Sequence, residues 1–178
     1  LCVLMIVLSD NTATNMLIDL AGMDNINSTM KSLGLVHTKV QRKMIDQRAS
    51  ARGDENLSTP DESAKIMEIL YKGEFLNRSL CDDMISILKL TRGGVIASGL
   101  PENVPVAFKP GGIAGVVVEW CIVDFKDRPF VITFMENYGV DMEVRNVMKE
   151  ISKILFHYFR RLAQSSKYGT YVPVEFLE

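Results

Sequence analysis

The sequence of 178 residues suits one domain and is long enough to bury a real core. Apolar residues make up 47% and charged residues 24%, which excludes a disordered chain. A formal net charge of −2, with one short basic run at Arg160-Arg161, excludes the dense basic surface that nucleic acid or an anionic membrane would need.

Leu1 to Leu8 is an apolar run without a basic flank or a small-residue cleavage site. It is too short to span a membrane and unlike a signal peptide. The chain opens without methionine, so an upstream segment, a targeting segment included, is expected. Thr12–Ala21 carries Ala13, Met16, Leu17 and Leu20 at helical spacing, with Gly22 placed to end the helix. Asn25–Leu33 repeats the pattern and stops at Gly34. Lys39–Asn56 is polar and reads as a long loop, often a functional feature. Thr59-Pro60-Asp61-Glu62 predicts a helix start, with Thr59 as cap, Pro60 in the first turn and Glu62 completing a capping box. Gly73 ends that helix. Ser79–Leu90 predicts another, and Thr91–Val104, with three glycines and a proline, predicts a loop.

The pattern then changes. Val104–Phe108, Val116–Asp124 and Pro129–Met135 are rich in Val, Ile, Phe and Trp and predict strands, the last two joined by a turn at Phe125–Arg128. Val140, Val144, Val147, Met148, Ile151, Ile154, Leu155, Tyr158, Phe159 and Leu162 make one stripe over about six helical turns, which predicts a helix covering the sheet. Helices followed by a strand cluster and a covering helix indicate an α+β class. Residues 1–103 form the mainly helical part, 104–162 the antiparallel strands and their helix, and 163–178 a tail, together one structural domain. The sequence shows no internal repeat.

Two short motifs carry the chemistry. Ser9-Asp10-Asn11 follows an apolar run and opens a helix. Lys109-Pro110-Gly111-Gly112 follows the first strand. Alone, the first is a good N-cap cluster and the second an ordinary turn. Together, in this order and roughly 100 residues apart, they resemble the Ser-Asp-Asn and Lys-Thr-Gly motifs of the class A β-lactamases and penicillin-binding proteins. Leu57-Ser58-Thr59-Pro60 is similar to the end of that family's omega loop, Ala107–Asn137 to its three-strand meander and Asp141–Phe159 to its last helix. The resemblance therefore runs to about Arg161.

That resemblance implies a β-lactamase/transpeptidase-like fold and an acyl-transferring serine hydrolase. Gly112 would supply one backbone N–H to the tetrahedral oxyanion, with Gly111 beside it in the substrate-binding strand. Ser9 would relay a proton to the leaving nitrogen. Asn11 would hold the substrate's amide. Lys109 would set a positive charge between Ser9 and an anionic substrate group, and Asp10 would turn inward to fix the loop. The substrate would be a small molecule or peptide carrying an amide, ester or β-lactam, with no cofactor, no metal and no nucleic-acid partner. The resemblance places such proteins outside the cell or in its envelope.

Three departures stand beside it. The Ser-x-x-Lys that supplies nucleophile and acylating base is not in a suitable place; Ser28 and Lys31 have the spacing but follow Ser9, so the pair is expected upstream of Leu1. Pro110 stands where the family has a hydroxyl residue, which removes a group for a β-lactam carboxylate. It also removes an N–H, tolerable on an edge strand or at a strand end. The omega-like loop lacks the Glu-x-x-Asn pattern, leaving Asp46, Asp54 and Glu55; Asp46 is the choice for a water-activating base.

The other chemistries fit less well. His37 and His157 are isolated, which argues against a Ser-His-Asp triad or a zinc site. Gly111-Gly112-x-x-Gly115 lies between strands and is no dinucleotide fingerprint. Cys2, Cys81 and Cys121 lack metal spacing and read as buried thiols, with one disulfide left open. A non-catalytic binding or structural module that kept the fold remains the alternative function. The strands that would complete the sheet are absent, so a missing N-terminal segment or a second chain is expected to complete it. The candidate cover within the chain is Thr170–Leu177, with Pro173 restricted to an edge position.

Overall fold

Short polar side chains start the helices of the first half. In the computed structural model, which describes residues 1–126, 128–166 and 169–170, helix α1 (Cys2–Val7) is followed by α2 (Asn11–Ala21), α3 (Met23–Ser32), α4 (Gln47–Ala51), α5 (Pro60–Lys72) and α6 (Arg78–Leu88). Asp10 caps α2, Asp46 caps α4 and Asn77 caps α6, each accepting a backbone N–H with its side chain. Thr59 caps α5 by accepting the Glu62 N–H at 3.2 Å, with Pro60 in the first turn. The capping box is only half made. The Glu62 carboxylate, itself buried, turns away to the His37 N–H at 2.9 Å and the Thr38 hydroxyl at 2.7 Å, which satisfy its oxygens away from water. Gly73, at φ 75°, ends α5 in the left-handed conformation that glycine adopts without strain.

Both segments read as loops contain short helices. The 39–56 segment holds α4 and is closed by reciprocal Lys39–Leu57 backbone hydrogen bonds of 2.9 Å. The 91–104 segment holds α7 (Val95–Ser98). Strands β1 (Val106–Ile113), β2 (Val116–Val123) and β3 (Phe130–Asn137) form an antiparallel sheet in the order β1-β2-β3. Strand β1 does not stop at Phe108 but runs on through Lys109-Pro110-Gly111-Gly112. Its edge position lets Pro110 sit mid-strand without a ladder N–H. Helix α8 (Asp141–Ala163) follows, then a two-residue pairing of β4 (Ser165–Ser166) with β5 (Gly169–Thr170).

The alternation of the strands builds two cores. One face sets Phe108, Cys121, Val123, Phe130 and Ile132 against Ile96 and against Phe156 of α8. The other sets Ala107 and Ile122 against Met67 and Leu70 of α5 and Cys81, Ile85 and Leu88 of α6. The apolar run at the start becomes α1, whose Ile6 packs on this second core. Hence the sheet lies between α5–α6 and α7–α8, and the cleft face of β1 looks toward the first helices.

Two expectations need correction. The long stripe of α8 is not one buried seam. Met148 and Phe156 are buried, whereas Val147, Ile154 and Tyr158 are 57%, 66% and 55% exposed. The apolar arc is wider than the surface the sheet covers. The cysteines are all free thiols, and Cys2 is exposed while Cys81 and Cys121 are buried. Burial, then the neighbouring Glu119 charge, pushes the Cys121 thiol far above the usual thiol range. The expected tail pairing falls on Val172–Leu177, outside the described residues. Among those described, no helix is long and apolar enough to cross a membrane.

Candidate active site

Ser9 lies in the turn between α1 and α2, at φ 51°. The left-handed region is unfavourable for a residue with a Cβ. The surrounding bonds hold it there. Asp10 N–H reaches back to the Leu4 carbonyl at 3.1 Å, and the Asp10 carboxylate turns inward to accept the Ala13 N–H at 2.6 Å. Thr14 then donates its N–H and its hydroxyl to the Asp10 carbonyl at 3.0 and 2.8 Å.

Opposite this turn, β1 presents Lys109. Its Nζ donates to Ser9 Oγ and, at 2.8 Å, to the Pro110 carbonyl. The two motifs thus meet across 100 positions of sequence. Lys109 is partly buried, and burial lowers its proton affinity below the ordinary lysine value. Asn11 begins α2 and is exposed, and its side chain makes no hydrogen bond among the described residues. Gly111 and Gly112 continue the strand. A Cβ at Gly112 would stand 2.9 Å from the Val116 carbonyl, and one at Gly111 3.0 Å from Val118 Cγ2. Only glycine passes Gly112 without displacing backbone.

Asp46 is placed differently. Its carboxylate is exposed and accepts the Ala49 N–H at 3.0 Å, capping α4. Two neighbouring residues fasten this loop to α2: the Met44 N–H donates to Asn15 Oδ1 at 2.7 Å and Asn15 Nδ2 to the Met44 carbonyl at 3.2 Å, while Lys43 pairs with Asp19 at 2.6 Å. Of the other loop acids, Glu55 pairs with Arg42 at 2.7 Å and Asp54 with Arg52 at 2.9 Å. The Ser50 hydroxyl, and after it Arg42, hold the Glu55 carboxyl below its usual range.

Three anchoring residues escaped the sequence reading. Asn15 sits one turn beyond Asn11; its signal is an amide directly before the apolar run Met16-Leu17-Ile18. Glu62 is buried and ties the loop at residues 37–38 to α5. Burial raises its proton affinity, but the Thr38 hydroxyl and the His37 and Thr38 N–H groups outweigh that and leave it below the ordinary carboxylate range. Glu119, a lone acid within the apolar run of β2, is 1% exposed and accepts the Val95 and Ile96 N–H groups at 2.8 and 3.0 Å. Burial dominates there and raises its proton affinity, against those two N–H groups and Arg145. Among the described residues, no group of three or more His, Cys, Asp or Glu could hold a metal ion.

Comparison with known proteins bears on the family and the fold. No curated protein matches the sequence. Among solved structures, the β-lactamase from Sphaerobacter thermophilus DSM 20745 is 29% identical with a TM-score of 0.81, over 88% of this chain and 61% of that one. PBP-A is 27% identical with a TM-score of 0.78, over 89% of this chain and 59% of that one. A variant of PBP-A, solved as an acyl-enzyme complex with penicillin G, superimposes with a TM-score of 0.77. The chain therefore spans about 60% of the length of these relatives. The model of the β-lactamase enzyme family matches residues 1–159, and the chain belongs to that family.

Proposed function

We propose that this chain supplies the proton-relay and substrate-binding part of a serine hydrolase that transfers an acyl group from an amide, ester or β-lactam. The observation that carries the reading is the Lys109 Nζ donation to Ser9 Oγ beside Gly111-Gly112. A nucleophilic serine outside this sequence would attack the carbonyl and lose its proton to its lysine. The oxyanion would be held by the Gly112 N–H together with the nucleophile's own N–H. Ser9 Oγ would pass a proton to the leaving nitrogen as the acyl bond breaks, and the Lys109 charge would steady the hydroxyl during that transfer. Asn11, its amide uncommitted, would align the substrate's own amide.

Pro110 offers no hydroxyl for a β-lactam carboxylate, which favours esters or peptides over penicillins. Asp46 accepts the Ala49 N–H through one carboxylate oxygen, so the other oxygen would be the one to activate the deacylating water. Asp46→Asn keeps that cap and removes the base, so a fall in deacylation alone identifies the role. The edge of β3, unpaired among the described residues, and the exposed flank of α8 would receive the polypeptide that carries the nucleophile.

The test is mass spectrometry of the complete natural polypeptide after exposure to penicillin G or a nitrophenyl ester. The expected result is a covalent adduct on a serine outside residues 1–178, formed much more slowly in Lys109→Ala. Absence of an adduct with any acyl donor overturns the reading in favour of a non-catalytic module.

A further inference from the structure

We propose that Trp120 is a positioning residue for Lys109, its indole shielding the lysine stem from water and holding the ammonium toward Ser9. The inference rests on the reading of Lys109 as part of the catalytic cleft. Lys109 stands directly opposite Trp120 in the β1–β2 register. Such partners share a face of the sheet, with Cβ atoms about 4.5–5.5 Å apart. On its other side Trp120 stands opposite Thr133, whose hydroxyl is committed to the Pro60 carbonyl at 2.9 Å. The indole therefore occupies the middle of the cleft face, between the lysine and the start of α5, and packs against the core made by α5 and α6.

Two further observations give that placement a purpose. The Lys109 ammonium is met by neutral oxygens only, Ser9 Oγ and the Pro110 carbonyl, and no carboxylate pairs with it among the described residues. With no ionic partner, the ammonium is placed by these two hydrogen bonds and by the wall its stem lies against. In addition, the Trp120 indole N–H is buried without a hydrogen-bond partner among the described residues. A buried unpaired donor destabilises the fold, and phenylalanine would fill much of the same space without it. The indole also lays a wider ring surface beside the lysine stem than phenylalanine would. Burial is also the sole cause of the lowered Lys109 proton affinity, and Trp120 is the large side chain facing Lys109 from the adjacent strand.

The other titratable groups on the packed elements are occupied or turned elsewhere. Cys81 of α6 donates to the Phe75 carbonyl, and Glu62 of α5 is held by His37 and Thr38. Asp10 caps α2. Glu119 and Cys121 belong to the opposite face of the sheet, and Cys2 of α1 is exposed. Tyr71 of α5 packs on the shared core, and Lys109→Met separates any contribution it makes.

Trp120 is the single tryptophan of the sequence, so its fluorescence reports this cleft alone. The experiment titrates the substrate-free chain, following Trp120 emission together with the Lys109 Cε resonance in 13C-lysine-labelled protein, assigned by Lys109→Met. The expected result is an emission change that shares its midpoint with the Lys109 resonance and is absent in Lys109→Met. In Trp120→Ala the Lys109 midpoint moves up toward the ordinary lysine value, and Trp120→Phe restores most of the depression. Identical emission curves for wild type and Lys109→Met overturn the proposal, as does an unmoved Lys109 midpoint in folded Trp120→Ala. Should Trp120→Ala not fold, the wild-type and Lys109→Met curves decide. No substrate enters this measurement. Coupling without acylation in the complete protein sinks the functional reading alone, and acylation without coupling sinks this inference alone.

Discussion

Ser9 combines a strained backbone with the hydroxyl that meets Lys109. Strain of this kind persists only where neighbours over-determine it. Ser9→Gly relieves the left-handed conformation and Ser9→Ala retains it, although both delete the hydroxyl. Chemical denaturation should therefore find Ser9→Gly more stable than Ser9→Ala by about 1 kcal/mol. Equal stabilities would show that the turn stores no strain. Lys109 poses the opposite problem, a charge held partly out of water. Because burial lowers its folded pKa, protonation opposes folding. That penalty is full below the folded pKa and is relieved as pH rises through it toward the unfolded value. Lys109→Met should thus melt higher than wild type at neutral pH, with the gap narrowing at alkaline pH; thermal melts across that range check it. The pair was legible in sequence because two motifs in a fixed order carry more information than either alone. Asp46 was ambiguous in sequence because one residue type serves two purposes: an acid ahead of a short helix reads equally as base and as cap, and the structure shows the cap.

The elements around the site depend on a few buried polar anchors. Asn15 uses both ends of its amide on the backbone of Met44. Asn15→Ala should cost about 1–3 kcal/mol, since partly buried donors and acceptors lose their partners. Hydrogen exchange should then show early loss of protection at the Met44 amide. Unchanged protection would mean the Lys43–Asp19 pair is enough to hold the loop on α2. Glu119 does for α7 what Asn15 does for the loop, joining the Val95 and Ile96 N–H groups to β2. Glu119→Ala should destabilise the chain by about 2 kcal/mol in urea, more than an exposed acid would. The helices were readable from capping residues and terminal glycines. The short α4 and α7 were not, because helices of four or five residues show no apolar period and form through tertiary packing. Strand β1 was drawn too short for a related reason: proline and paired glycines ordinarily mark a turn, and only its edge position permits them mid-strand.

At the scale of the molecule, the unexpected feature is the second apolar flank of α8. Val147, Ile154 and Tyr158 recur at the spacing of a helix–helix seam, with half-buried Ile151 between them. Helix α7 packs near Lys149 and Ser152, while Phe159 stacks on Phe130 of β3. By helical geometry the exposed seam therefore faces away from α7, toward the side where β3 has no neighbour among the described residues. The sequence showed one stripe because periodicity reports which residues are apolar and not how much surface is available to cover them. Val147→Lys and Ile154→Lys should each change the stability of this chain by no more than about 0.5 kcal/mol, since both sites are exposed. In the complete polypeptide each should cost roughly 2 kcal/mol or more if the seam is buried there. Denaturation of both forms checks this, and small effects in the two alike would leave the seam without an occupant.

The junction of Ser9 with Lys109 also carries a consequence for the order of folding. Joining residues 100 positions apart closes a long loop, at an entropic cost of about 4 kcal/mol from chain length alone. The hairpin of β2 and β3 and the α5–α6 pair need only local closure, so they should form first. The cleft would then be among the last contacts made and the first lost. In a pulse-labelled refolding experiment, amides of β2 and β3 should gain protection before the Lys109 resonance reaches its native position. The Ser9–Lys109 contact would then report arrival at the native state and not merely collapse.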